Sequence, residues 1–116
     1  MIRIPSQVFV ATTPIDLRLS FDRLAGIVRE QLGADPRDDA AFIFHNKART
    51  HLKVLWHERR GYSLLYVRLD RGTYRIPLAI PDGATHVRVL PRELALIMDG
   101  LDHDVLRAAR RSAAAT

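Results

Sequence analysis

No cysteine occurs in the 116 residues. Disulfide frameworks, thiolate zinc sites and thiol nucleophiles are therefore excluded together, and the redox compartment is left unmarked. Glycine is scarce, with six residues and no cluster of them, so there is no Gly-rich loop to cradle phosphates. No apolar run approaches the ~20 residues of a membrane span. The opening Met1-Ile2-Arg3-Ile4-Pro5 lacks the apolar region of a signal peptide. The expectation is a cytoplasmic protein with no membrane role. Its length fits a single core that buries roughly two-thirds of the unfolded surface without a metal or disulfide staple.

Negative charge is the next deficit, with thirteen Asp and Glu against eighteen Lys and Arg and a net charge of +5. Sixteen of the eighteen cations are arginine, whose planar fork suits phosphate and base edges better than a lysine ammonium does. The excess is concentrated. Lys47, Arg49, Lys53, Arg59, Arg60, Arg68, Arg71 and Arg75 face only Glu58 and Asp70 in their stretch, while the rest of the chain is close to neutral.

Local patterning gives an alternation of elements. Gln7 to Thr12 reads as a strand that ends before Pro14. Ser20 then stands as N-cap of a helix from Phe21 to Leu32, in which Phe21, Leu24, Ala25, Val28 and Leu32 form one apolar stripe, with Gly33 as its stop. Ala41 to His45, His51 to His57 and Tyr62 to Leu69 read as strands joined by hairpin-length connectors, with Tyr74-Arg75-Ile76 as a further extended piece before Pro77. A short strand from His86 to Leu90 precedes Pro91 and a helix from Arg92 to Asp99. The fold expected is α+β, one domain over 1–106. It has an antiparallel sheet of about five strands, a helix after the first strand, and a C-terminal helix packed on the same face. Residues 107–116 form a basic, alanine-rich tail. The other sheet face is expected to be a mixed basic and aromatic surface.

The chemistry-bearing residues give no catalytic pattern. His45, His51 and His57 recur every six residues, which matches no standard ligand spacing. The acids are scattered, whereas metal-dependent nuclease chemistry needs them clustered. Tyr62, Tyr66 and Tyr74 are candidate nucleophiles among arginines, but strand tyrosines are mostly packing residues. No cofactor is implied. What stands out is the set Lys47, Arg49, His51, Lys53, Arg59, Arg60, Arg68, Arg71 and Arg75, interleaved with tyrosines. Locally unbalanced charge of this kind is unusual on a surface kept only for solubility and suits nucleic-acid binding. Base readout would fall to Arg49, Lys53 or Arg68. A solvated sheet face and a surface for an acidic protein partner are the competing readings.

The segment from Phe42 through His45-Asn46-Lys47 and Lys53-Val54-Leu55-Trp56, followed by Gly61, Tyr66-Val67-Arg68-Leu69, Gly72-Thr73-Tyr74 and Pro77, resembles a known family. So do Ile4-Pro5, Asp16-Leu17-Arg18, Phe21-Asp22 with Leu24, and Gly100-Leu101-Asp102. The family is the small accessory protein, TnpB type, made from the second open reading frame of the insertion-sequence sixty-six group of bacterial transposons. The resemblance covers about Met1 to Asp102. It implies a protein needed for efficient transposition, encoded beside a large transposase and a second small accessory protein, with no catalytic residues to transfer. Departures include Thr50-His51 where Asp-Arg is common and Ile76 where a tryptophan usually precedes proline. Together the residues and the resemblance give the expectation of a non-catalytic transposition factor. It would bind DNA at transposon ends, or else act as an adaptor to the transposase without touching DNA.

Overall fold

A computed structural model describes residues 5–74, 80–90, 92–94 and 97. Its elements are β1 (Gln7–Ala11), α1 (Phe21–Glu30), β2 (Ala40–His45), β3 (His51–Glu58), β4 (Gly61–Arg68) and β5 (His86–Val89). They form a five-stranded sheet in the order β4-β3-β2-β1-β5. Among the described residues no helix is long and apolar enough to cross a membrane.

The expected wholly antiparallel sheet needs one correction: β1 and β2 run parallel, Gln7 opposite Ala40 and Val10 opposite Ile43. The physical reason is the connection between them. A parallel pair needs a crossover of a dozen or more residues, commonly helical, and α1 with its flanking loops is that crossover. The other pairs are antiparallel: β1 with β5, β2 with β3, and β3 with β4.

A second correction concerns the faces. Leu24, Ala25 and Val28 of α1 pack with Ala40, Phe42, Phe44 and Leu55 on one side of the sheet. Leu94 and Ile97, which are helical together with Arg92 and Glu93, pack with Val8, Val10, Ile43, Val54, Trp56 and Tyr74 on the other. The two helical segments thus cover opposite faces, and the expected basic and aromatic face is reduced to the part of the α1 side around His51, Tyr66 and Arg68. The run Ala40-Ala41-Phe42-Ile43-Phe44-His45 is buried at every position, the signature of a strand covered on both sides. Burying both faces removes far more apolar area from water than a one-sided sheet of this size would, and each large side chain contributes about 1.5–3 kcal/mol.

Local details explain the boundaries. Ser20 occupies the N-cap position in extended conformation but makes no side-chain cap bond, and Phe21 is exposed instead of joining the stripe. The helix ends at Glu30, two residues before the expected Leu32, and Gly33 takes the left-handed conformation that closes it, φ +65°. At the second helical segment the Glu93 carboxylate accepts the Leu90 backbone N–H at 2.9 Å. That contact is half of a capping box. Tyr74, expected among the surface aromatics, is instead 1% exposed in the core. Arg75, the strand piece beyond Tyr74, the end of the C-terminal helix and the 107–116 tail lie outside the described residues.

His45 fastens the ends of β1 and β2. Its Nε2 lies 3.0 Å from the Ala11 carbonyl oxygen and its Nδ1 lies 3.2 Å from that of Asn46. Burial pushes the imidazole below its ordinary 6.5, with Arg49 acting in the same direction, although both carbonyls favour the charged ring. With the folded-state value below the unfolded one, the unfolded chain binds more protons as pH falls through 6.5, so stability must drop there. Urea midpoints should therefore be higher at pH 7.5 than at pH 5.5. His45→Gln, which keeps one donor, should reduce that pH dependence; an unchanged slope would contradict the assignment.

Candidate nucleic-acid interface

Hairpin geometry decides where the cations go. β3 and β4 pair from His51 with Arg68 to Glu58 with Gly61. The β2–β3 turn (46–50) and the end of β4 therefore share one end of the sheet, and the Arg59-Arg60 turn occupies the other. The length of β3 separates the two ends by roughly 23 Å at the usual rise per residue.

The first end is tied together by backbone bonds. Leu69 N–H donates to the Thr50 carbonyl at 2.9 Å, and Tyr74 N–H donates to that of Arg49 at 2.6 Å. These bonds hold the 69–74 loop against the 46–50 turn, bringing Lys47, Arg49, His51, Arg68 and Arg71 into one neighbourhood. Within the turn Asn46 is the organiser. Its Oδ1 accepts the N–H groups of Thr50 (2.9 Å) and His51 (3.0 Å), and its Nδ2 donates to Thr50 Oγ1 at 2.9 Å. The Thr50 hydroxyl in turn donates to His51 Nδ1 at 2.7 Å. Asn46 Nδ2, which can only donate, also lies 3.3 Å from this Nδ1, so the bonds favour the Nε2–H tautomer of His51, whose N–H has no partner among the described residues. His51, Tyr66 and Arg68 line a shallow depression of about 220 Å³.

Lys53 has a different place from the one its sequence position suggests. It is 7% exposed. Its ammonium donates to the Leu19 carbonyl at 2.8 Å and sits 4.9 Å from the centre of the Tyr66 ring. It therefore supports Tyr66, which is 57% exposed, and links the sheet to the loop before α1. Base readout by Lys53 does not fit this burial. Asp16 and Arg18 form a local pair, as their spacing suggested, with the guanidinium forked onto the carboxylate at 2.7–3.0 Å. The Arg18 hydrogen bonds pull the Asp16 carboxyl from 3.8 to about 2, with a smaller contribution from the Lys53 charge.

Among the described residues that is the single ion pair, so the cations of the 46–50 turn and the 68–71 region have no carboxylate partner there. The exposed members are Lys47, Arg68 and Arg71, with Arg49 half-buried. At the opposite end Arg59 and Arg60 are exposed beside Glu58, and His57 meets Tyr62 edge to face at 5.0 Å. Both hairpin turns hold an arginine in the left-handed region, Arg49 at φ +58° and Arg59 at +54°. Glycine adopts that conformation without strain. The three strand histidines all have partners of structural kind: carbonyls for His45, Thr50 for His51, Tyr62 for His57.

Sequence reasoning located the basic stretch but not its division, and it did not single out Thr50 or the Asn46 side chain as builders of the turn. The signal was present, since a turn asparagine with threonine four residues later offers both an acceptor and a receiver for its amide.

The chain matches the family model described as IS66 Orf2 like protein over residues 6–108. It is similar to two uncharacterized proteins of Sinorhizobium fredii (strain NBRC 101917 / NGR234). One is y4hO, 34% identical over 96 residues, covering 83% of this chain and 81% of the relative; the other is y4jC, 32% identical, covering 83% and 80%. No solved structure matches.

Replacing Asn46 tests the turn directly. Asn46→Ala strands two backbone donors of the turn and should lower unfolding stability by about 1–3 kcal/mol. Asn46→Asp keeps the accepting oxygen and should recover most of that deficit in denaturant titrations. Equal deficits in the two variants would show that the Oδ1 contacts do not organise the turn.

Proposed function

This chain belongs to the IS66 Orf2 like protein family, an accessory of insertion-sequence transposition, and we propose that it acts there by binding DNA. The contact is the basic end of the sheet, Lys47, Arg49, His51, Arg68 and Arg71, and the role is non-catalytic: the protein sits on the transposon ends and helps place the transposase. The observation that carries this reading is the convergence of these groups around the hydrogen-bonded 46–50 turn and 69–74 loop without a carboxylate pairing them among the described residues.

Chemically, this end offers guanidinium forks and one ammonium to phosphate oxygens, an imidazole N–H as a further donor, and the Tyr66 ring as an apolar platform. Phosphate contacts of this kind dominate affinity and release counterions, so binding falls steeply with salt. Arg68, next to the His51 depression, is the group best placed for any base-edge contact, whereas Lys53 acts by holding Tyr66. The second small accessory protein and the transposase are the partners of this reading, and the cytoplasm is its setting.

The test is duplex binding by fluorescence anisotropy across a salt series. Reversing Lys47 and Arg71 to Glu should weaken binding at least about tenfold and flatten the log–log salt slope by about 1 for each phosphate no longer neutralised. Arg59→Glu with Arg60→Glu should have the smaller effect on a short duplex. Unchanged affinity in the first variant, with its melting curve intact, would remove this surface as the DNA site. If that variant instead failed to co-purify with the transposase from nuclease-treated extract, the adaptor role would replace it.

A further inference from the structure

β4 is an edge strand of eight residues, and among the described residues nothing pairs with its outer side. From Tyr62 to Val67 it carries neither charge nor proline, the devices that ordinarily protect an edge. Leu65 and Tyr66 are exposed at 37% and 57%. Backbone direction along the strand is fixed by the Leu69–Thr50 bond. Because orientation alternates, residues 61, 63, 65 and 67 turn their N–H and C=O groups toward β3. Tyr62, Leu64, Tyr66 and Arg68 turn theirs toward the open edge.

We infer that this edge pairs with the same strand of a second copy, antiparallel about a two-fold axis at Leu65. An axis normal to the sheet keeps each residue on its own face, so it must pass beside one residue. With Leu65 on the axis, Tyr62 pairs with Arg68 of the second copy and Leu64 with Tyr66, and the symmetric pairs repeat them. All four outward-facing residues then find partners, two hydrogen bonds to a pair. An axis at Leu64 satisfies three of the four and leaves Arg68 beyond the partner strand. The Leu65 register also covers the two exposed apolar side chains. Leu65 meets its own copy, and Tyr66 meets Leu64.

Charge opposes the pairing and sets its salt dependence. In this register Arg60 lies level with Asp70 of the second copy and Arg59 with Arg71. The Arg59-Arg60 turn of one chain therefore continues the basic end of the other. Two patches that hairpin geometry separates within one chain become one strip across the pair. An edge pair of this length is small beside the ~1,200 Å² of stable complexes, and each copy carries +5. Association is therefore weak at low salt, and it strengthens when added salt or a polyanion screens the repulsion. An acidic strand from another protein would respond to salt in the opposite sense. The inference rests on edge geometry and does not require the DNA reading.

The absence of cysteine makes a direct test available. Leu65→Cys and Ser63→Cys chains are oxidised at moderate salt and followed on non-reducing gels, with circular dichroism confirming the fold. On the axis, the two thiol-bearing residues at position 65 form a non-hydrogen-bonded pair with Cα atoms ~4.5 Å apart, within the disulfide window. Ser63 faces Val67 of the second copy and lies roughly 13 Å along the strand from its own counterpart. Leu65→Cys should cross-link at least about tenfold faster than Ser63→Cys, while a mixture of Ser63→Cys and Val67→Cys chains should link efficiently. Comparable rates for Leu65→Cys and Ser63→Cys, or no linking in any sample, would overturn the pairing. In ultracentrifugation the unmodified chain should gain mass with concentration and with salt, and Leu65→Lys should not. A monomer under every condition, with or without duplex, would overturn it too and leave the edge to an acidic partner strand. Position-selective cross-linking in a chain that fails to bind duplex would support the dimer and remove the DNA reading alone.

Discussion

Coverage of the sheet on both faces is the constraint from which the rest of this molecule follows. β2 is buried along its whole length, with α1 on one side and Tyr74, Leu94 and Ile97 on the other. A charged group cannot stay on such a face unless it finds a partner, because removing an ion from water without compensation is far more expensive than any gain from packing. The arginines of the central segment are therefore driven to the turns and the outer edge. The apolar content of the strands positions the basic surface as firmly as any contact within that surface does.

His45 and Lys53, buried in the strands, obey the same rule. His45 bridges the ends of β1 and β2 through carbonyl oxygens, and Lys53 reaches the Leu19 carbonyl while lying against Tyr66. Each joins the sheet to a segment that hydrophobic contact alone would leave loosely placed. His45 adjoins the 46–50 turn and Lys53 props the tyrosine beside it, so a dense polar network surrounds the end where the exposed cations gather. Among the described residues, Trp56 Nε1 and the Tyr74 hydroxyl are the buried side-chain groups without a hydrogen-bond partner, and each lowers stability by about 1–3 kcal/mol.

Much of this was legible from residue order. The apolar stripe of α1, the glycine at its end and the alternation in β3 and β4 all appear where local chemistry puts them. The parallel pairing of β1 with β2 was not legible, because a helical connection permits several strand orders and no local pattern distinguishes them. A clue lay in the unbroken run Ala40 to Phe44, which suits a strand covered on both sides better than a half-exposed one. The face assignment failed for the same reason. Lys53 shares a side with His51 and His57, yet α1 and its leading loop cover that side at Lys53 and leave it open toward Tyr66 and Arg68. As for the surface, the concentration of charge between Lys47 and Arg71 could be read directly. Its split between two ends depends on the β3–β4 register, which brings Arg68 to His51 and carries Arg59 away.

If double coverage of the sheet confines nucleic-acid contact to its turn end, amide chemical shifts recorded during titration with a short duplex should reveal that confinement residue by residue. The largest changes are expected at 46–51 and 66–73, with the outward face of α1 and the β1–β5 ladder unaffected. Changes centred on Arg23, Arg29 and Arg37, or spread evenly over the chain, would be incompatible with it.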